Sequence, residues 1–251
     1  MASILETIKN LKQPEGGYLS PNAFKEIFLN DELEITSSEN IPLSIVGIVI
    51  DYMTRYLLIG DAKNCFRVSL TGAISVNETD KANELLEQIN GLNDQSIVAA
   101  CKLVGYDICF RESPDLYQSV DNINPDNQSI NNIKSMIIRS MAFVNEFGPI
   151  IKEGITFEGG YTDKITNGDG DFVTKGTIWD IKLSPEGINT INTLQLLIHY
   201  IMGKHSNYPE LQEIYKIGFF NPRLNRIYLL DTKEIDKEII DTVEKDIIGY
   251  E

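Results

Sequence analysis

Asp171, Asp180 and Lys182 stand close together in the stretch GDGDFVTKGTIWDIKLSPEGINTINTLQLLIHY, residues 168–200. Two carboxylates and a lysine on adjacent strands can form a metal-assisted phosphodiester site. There a divalent cation neutralises charge on the phosphoryl oxygens and lowers the pKa of an attacking water. Magnesium takes oxygen ligands, usually one or two protein carboxylates, and leaves the remaining positions to water and substrate. Residues two apart on a strand share a face, so Asp180 and Lys182 point the same way and Ile181 points into the opposite layer. A lysine so placed can orient the attacking water or stabilise charge in the transition state.

Each of these residues also has a plainer identity. Asp171 follows Asn167-Gly168-Asp169-Gly170, a turn-forming run, and can serve as a strand-end turn residue. Asp180 and Lys182 can be the solvent side of an edge strand whose buried side is Trp179, Ile181 and Leu183. A calcium-loop reading of Asn167, Asp169 and Asp171 fails at its sixth position, Phe172, where glycine is needed, and at its twelfth, Ile178, where glutamate is needed. The Asp171 and Asp180-x-Lys182 pair together favour the site.

The elements that must position these groups follow from pattern. Residues 155–165, 171–174 and 177–183 read as strands, with a turn at 167–170. A helix is expected from Thr190 to Met202, and two strands (214–220 and 226–232) joined by Asn-Pro-Arg-Leu-Asn come next. A last amphipathic helix carries Ile235, Ile239, Val243 and Ile247.

Upstream, residues 1–40 read as helical and exposed, with Ser20-Pro21 capping a helix from Asn22 to Asn30. A buried helix spans 45–59 and ends at Gly60, with Asp51 and Arg55 as its conspicuous polar members. Residues 66–70 alternate like a short strand. Helices are expected over 81–90 and 96–105, an exposed loop over 113–129, and a long amphipathic helix through Ile130, Ile133, Ile137, Met141 and Val144 that ends near Gly148-Pro149. The whole predicts one α/β domain over 1–251: a largely helical part, 1–150, over a mixed sheet, 151–251, that carries the metal site.

The order Asp171, then Asp180-Ile181-Lys182, then a helical Gln195 and Tyr200 resembles the PD-(D/E)XK nuclease superfamily, in particular its RecB-like exonuclease branch. That branch has a G-x-x-D motif, a D-x-K strand and a Q-x-x-x-Y helix. The resemblance implies a restriction-endonuclease-like mixed β-sheet flanked by helices. It further implies Mg2+ or Mn2+ bound by Asp171, Asp180 and the backbone carbonyl of Ile181, Lys182 serving the attacking water, and Gln195 with Tyr200 positioning the substrate. Tyr200 stands five residues after Gln195, and His199 occupies the position four after it. RecB-like members also carry an upstream G-x-x-x-H metal ligand. Gly47 to Asp51 has that spacing with aspartate in place of histidine, so Asp51 is either a further metal ligand or the partner of Arg55 in an intrahelical ion pair.

The implied activity is phosphodiester hydrolysis, on DNA in preference to RNA. The alternative is a catalytically silent protein of the same fold, acting as a protein-binding regulator or a phage or mobile-element accessory factor. The formal charge of -15 argues against broad coating of nucleic acid and suits a protein partner on an acidic surface. Lys175, Lys204, Arg223 and Arg226 are the expected local positive surface, and Glu153 and Glu158 read first as surface glutamates, with a further site carboxylate as the alternative. His199 and His205 have no second ligand at zinc spacing, and His199 reads as helix surface or channel lining. The start MASILETIKN is not leader-like, the apolar stretch 45–59 is broken by Asp51 and Arg55, and three cysteines show no metal or redox spacing. A cytoplasmic protein with no membrane span and reduced core thiols is expected.

Overall fold

The computed structural model describes residues 2–29, 31–36 and 38–251. The chain divides into two compact units: residues 1–30 with 143–251, and residues 31–142.

The first unit holds a six-stranded mixed sheet. Its strands are β1 (Lys25–Phe28), β2 (Lys152–Ile155), β3 (Gly170–Thr174), β4 (Thr177–Ile181), β5 (Lys216–Asn221) and β6 (Arg226–Asp231), in spatial order β1-β6-β5-β4-β3-β2. β2, β3 and β4 form an antiparallel meander, and β3 turns into β4 through Lys175-Gly176. The helix α9 (Thr190–His205) then carries the chain back, so that β5 pairs parallel with β4, the one parallel pair in the sheet. A parallel neighbour needs such a crossover, and a helix supplies it.

Strand alternation sorts the side chains. Val173 and Ile178 face Leu194, Leu197, Ile198 and Ile201 of α9, in a large core that also takes Ile4 and Ile8 of the first helix, α1 (Ile4–Asn10). Phe172, Trp179, Phe220 and Ile227 form the opposite face with Phe143. The Trp179 ring stands edge-on to Phe143 at 4.9 Å, a favoured aromatic geometry, and its Nε1 donates to Thr174 Oγ1 at 2.8 Å. Its cross-strand neighbour must be small. A Cβ on Gly218 would lie 2.4 Å from Trp179 Cζ3.

The second unit is helical: α2 (Leu43–Ile59), α3 (Ala62–Cys65), α4 (Arg67–Ser75), α5 (Thr79–Glu87), α6 (Asp94–Val104), α7 (Asp107–Arg111) and the body of α8 (Asn127–Phe147). Gly60 closes α2 in the left-handed conformation, which glycine adopts without steric cost. One face of α2 is buried through Val46, Val49, Ile50 and Met53, while Leu43 and Ile59 are exposed. Asp107 sits in this interior at 2 % exposure. It accepts from Tyr52 Oη at 2.7 Å, from Ser69 Oγ and from Arg111 Nε at 3.2 Å.

Several expectations are corrected. The stretch 22–29 is not a helix: a single 3-10 turn, Pro21–Ala23, leads into β1, which pairs with β6 in register Lys25↔Leu229; Asn30 lies outside the described residues. A strand whose partner is some two hundred residues away leaves little local signature. Residues 67–70 belong to α4, because a four-residue alternation fits a helix as well as a strand, and burial of Ser69 against Asp107 selects the helix. Only Ile155 of the expected strand 155–165 is extended in the sheet. The rest turns at Gly159 (φ +89°), with Gly160 N–H donating to Phe157 O at 2.8 Å.

The remaining strands and helices lie within a few residues of the expected bounds, the strand expected over 177–183 ending at Ile181, but the expected exposed loop 113–129 holds two 3-10 turns, Pro114–Leu116 and Val120–Asn122, with Val120 buried, and gives way to α8 at Asn127. The final helix comprises α10 (Lys237–Thr242) and a π-helical turn, Val243–Ile248. All three cysteines are buried. Among the described residues no helix is long and apolar enough to cross a membrane.

Because backbone and tryptophan meet at Gly218, Gly218→Ala should lower stability by about 2 kcal/mol through overpacking. The fluorescence of the single tryptophan in a urea titration reads this directly, as an earlier midpoint than the wild type.

Candidate active site at the ends of β3 and β4

The last paired step of β3 and β4 is Phe172↔Trp179. One residue beyond it, Asp171 uses its side chain where the ladder would use backbone: Oδ2 accepts the Ile181 N–H at 2.5 Å. The contact ties the first carboxylate to the residue between Asp180 and Lys182. Asp171 is itself exposed.

Asp180 differs in environment. It occupies the same face as Ile178, under α9, and is 4 % exposed. Burial raises its pKa against the opposing pull of the Lys182 ammonium, whose Nζ stands 2.5 Å from Oδ2. The contact is an ion pair without the direction of a good hydrogen bond, and Oδ2 has no hydrogen-bond partner. Lys182 Nζ also donates to Gln195 Oε1 at 3.2 Å. Asp180, Lys182 and Gln195 thus form a chain of polar contacts from strand to helix. A buried carboxylate held against one ammonium is stable only while that cation or another stays beside it.

α9 begins with a reciprocal cap: Asn189 Oδ1 accepts from Ile191 N and Asn192 N, and Asn192 Oδ1 accepts the Asn189 N–H at 3.0 Å. This fixes the helix start, and hence the turn on which Gln195 appears. Four residues on, His199 lies on the same side. It is 1 % exposed, and neither ring nitrogen has a hydrogen-bond partner. Burial, with the Lys182 charge nearby, lowers its pKa to about 3, so the ring is neutral. Gln195 and His199 line a cavity of about 360 Å³ together with Asp169, Asn167 and the N-terminal residues Ser3–Leu5.

The expected residues therefore separate. Asp171, Ile181, Asp180, Lys182 and Gln195 are joined by direct contacts. Tyr200 is turned away from the lining of the cavity: it packs against the large core, and Lys204 Nζ stands 5.5 Å from its ring centre. Asp51 lies on α2 in the helical unit, half exposed, with Oδ2 3.0 Å from Arg55 Nη2, so the ion-pair alternative is formed. Glu158 accepts from Thr156 and, at 2.5 Å, from Tyr208 Oη, and these bonds hold its pKa low; Glu153 is exposed on β2.

The expected positive surface does not form as one patch. Arg223 is buried, and its Nε donates to Leu183 O at 3.0 Å; with Asn221 Nδ2 on Ser184 O at 2.8 Å, it fastens the segment that leaves β4. Arg226 pairs with Glu26 at 2.8 Å, and Lys204 donates to Gln212 O. The arginine of a turn can thus serve the backbone, a use that its sequence context does not reveal. His199 is the residue that sequence reasoning undervalued. Its signal was the four-residue spacing from Gln195.

The oxygen donors Asp171 and Asp180 suit a hard divalent cation that takes one or two protein carboxylates. Among the described residues no group of three or more His, Cys, Asp and Glu side chains converges on one point. Comparison of the chain with protein-family models, curated proteins and solved structures found no match.

Two outcomes follow. Lys182→Met strands the Asp180 carboxylate and should cost about 3 kcal/mol at neutral pH, and adding Asp180→Asn should recover most of it in a double-mutant cycle by urea unfolding. His199 has a folded pKa of about 3 against 6.5 for the ordinary group. The unfolded chain therefore binds the proton first, and the His199 contribution to stability is complete above pH 6.5 and is lost progressively below it. From pH 7 to pH 5 that loss should be about 2 kcal/mol, and it should vanish in His199→Phe, measured as the difference between the two pH–stability curves.

Proposed function

We propose that this chain is a Mg2+- or Mn2+-dependent nuclease of the PD-(D/E)XK type, acting on DNA in preference to RNA. The observation that carries the reading is that Asp171 takes the backbone N–H of Ile181 between Asp180 and Lys182, while Lys182 bridges Asp180 and Gln195 under the helix. The mixed sheet with flanking helices is of the kind that a restriction-endonuclease-like fold requires, and the β2–β3–β4 meander with its return through α9 to β5 supports that assignment.

Asp171 and Asp180 would hold the cation, with the Ile181 carbonyl as a backbone ligand. The cation supplies charge neutralisation at the phosphoryl oxygens and a lower pKa for the attacking water. The protein's own part rests on Lys182. Its ammonium is held between Asp180 Oδ2 and Gln195 Oε1, so its position is set before substrate arrives. An ammonium fixed in this way can donate to the nucleophile or to a phosphoryl oxygen without reorganising. Gln195 acts through Lys182 as a positioning residue.

A catalytically silent protein-binding regulator is the second reading, favoured by the charge of -15. The two part in one assay. Linear and circular DNA, single- and double-stranded, and RNA are incubated with Mg2+ or Mn2+ and wild type, Asp180→Ala or Lys182→Ala protein. The nuclease reading expects metal-dependent cleavage of DNA that falls by about a hundredfold or more in either variant. Cleavage that survives both substitutions, or none of any substrate, overturns it. Calorimetric titration with Mn2+ adds a readout besides activity: binding should be lost in Asp171→Ala.

A further inference from the structure

The cavity beside Gln195 contains chemistry that phosphodiester hydrolysis does not use. His199 is a neutral imidazole with one N–H to give and one lone pair to accept, and both nitrogens lack partners at 1 % exposure. Buried polar atoms are normally satisfied, so a ring with two orphaned nitrogens beside a cavity marks a place where a ligand can complete the bonding. Gln195 gives its Oε1 to Lys182 and retains its amide N–H groups as donors. Asp169 adds an acceptor to the wall, and among the described residues no lysine or arginine lines the cavity. A volume of about 360 Å³ lies at the small end of ligand pockets, which start at about 300 Å³.

We propose that this cavity is a nucleobase pocket, in which His199, the Gln195 amide and Asp169 read the donor and acceptor edge of a single base. A phosphate would face the Asp169 carboxylate, and the nearby Lys182 ammonium is already engaged by Asp180 and Gln195. An apolar ligand would leave the imidazole nitrogens unpaired. An uncharged planar heterocycle with alternating donors and acceptors meets all three groups. Gln195 belongs to this wall and to the Lys182 contact alike, so a base held here would place its own nucleotide next to the Asp180–Lys182 pair. In that respect the inference rests on the nuclease reading and extends it to the substrate.

His199 is closed to water in the structure, so a base reaches its ring only if part of the wall yields. The N-terminal segment forms one wall, anchored in the core by Ile4 and Ile8. It is joined to the 166–167 turn by Ile4 N–H to Asn167 O at 3.2 Å and Thr166 N–H to Ala2 O at 3.1 Å, and Leu5 is exposed. Its neighbour Gly170 opposes no side chain to His199: a Cβ there would stand 3.4 Å from Nδ1.

The chain has two histidines, so imidazole NMR isolates the site. Ring-labelled protein is titrated with deoxyadenosine, deoxyguanosine, deoxycytidine and thymidine, with His205→Gln assigning the His199 resonances. A saturable shift of the His199 ring nitrogens by at least one nucleoside is expected, with His205 unmoved and the apparent affinity reduced about tenfold in Gln195→Leu, the loss of one good hydrogen bond. His199 signals unmoved by all four nucleosides overturn the pocket, as does an affinity unchanged in Gln195→Leu. DNA cleavage is followed in parallel. Cleavage with silent His199 signals leaves the nuclease reading and removes the pocket, whereas saturable shifts without cleavage leave the pocket and remove the nuclease reading.

Discussion

The buried ion pair of Asp180 and Lys182 is the constraint on which the candidate site depends. A carboxylate at 4 % exposure is unstable as an anion unless a cation faces it, and a spacing of two is the shortest on a strand that delivers that cation to the same face. Once both lie under α9, Gln195 must stand where its amide oxygen can take the ammonium, and the Asn189 cap sets that turn of helix. The apolar residues around Asp180 bury its carboxylate and make its contact with Lys182 stronger than it would be on the surface.

The sheet serves the same arrangement from its other side. Trp179 and Ile181 alternate with Asp180 and Lys182, so the aromatic cluster around Phe143 anchors the strand while the polar pair faces the helix. Gly218 lets β5 lie flat against the indole. β5 extends past the end of β4, with Lys182 N–H donating to Phe220 O at 3.0 Å, and Asn221 at the end of β5 and Arg223 in the turn after it bond back to residues 184 and 183. The lysine is thereby held by backbone on one side and by its own side-chain partners on the other. Polar groups invested in this way rigidify a site more than they stabilise a fold.

The two histidines show how environment, not residue type, assigns a role. His205 is partly exposed, stacks on Tyr250 and meets Glu244 at 2.6 Å. His199, six residues earlier on the same helix, is sealed, neutral and unpaired. A deeply buried imidazole with nothing to bond is costly, and the cavity beside it gives that cost a direction.

By itself the sequence determined the order of the strands and long helices from residue 167 onward, the shared face of Asp180 and Lys182, and the helix that bears Gln195, because strand and helix periods are local properties. It also carried the α2 and α8 helices and the burial of the cysteines. Only the tertiary structure decided that β1 closes one edge of the sheet, that 67–70 is helical and that 156–165 is a loop. In each case the deciding partner is distant in sequence: Leu229 for Lys25, Asp107 for Ser69, Met202 for the backbone near Gly160. It decided as well that Asp171 bonds to Ile181, that Arg223 is spent on Leu183, and that His199 rather than Tyr200 accompanies Gln195 at the cavity. One residue along a helix is a turn of 100°, and which side of α9 faces the cavity depends on what packs against it.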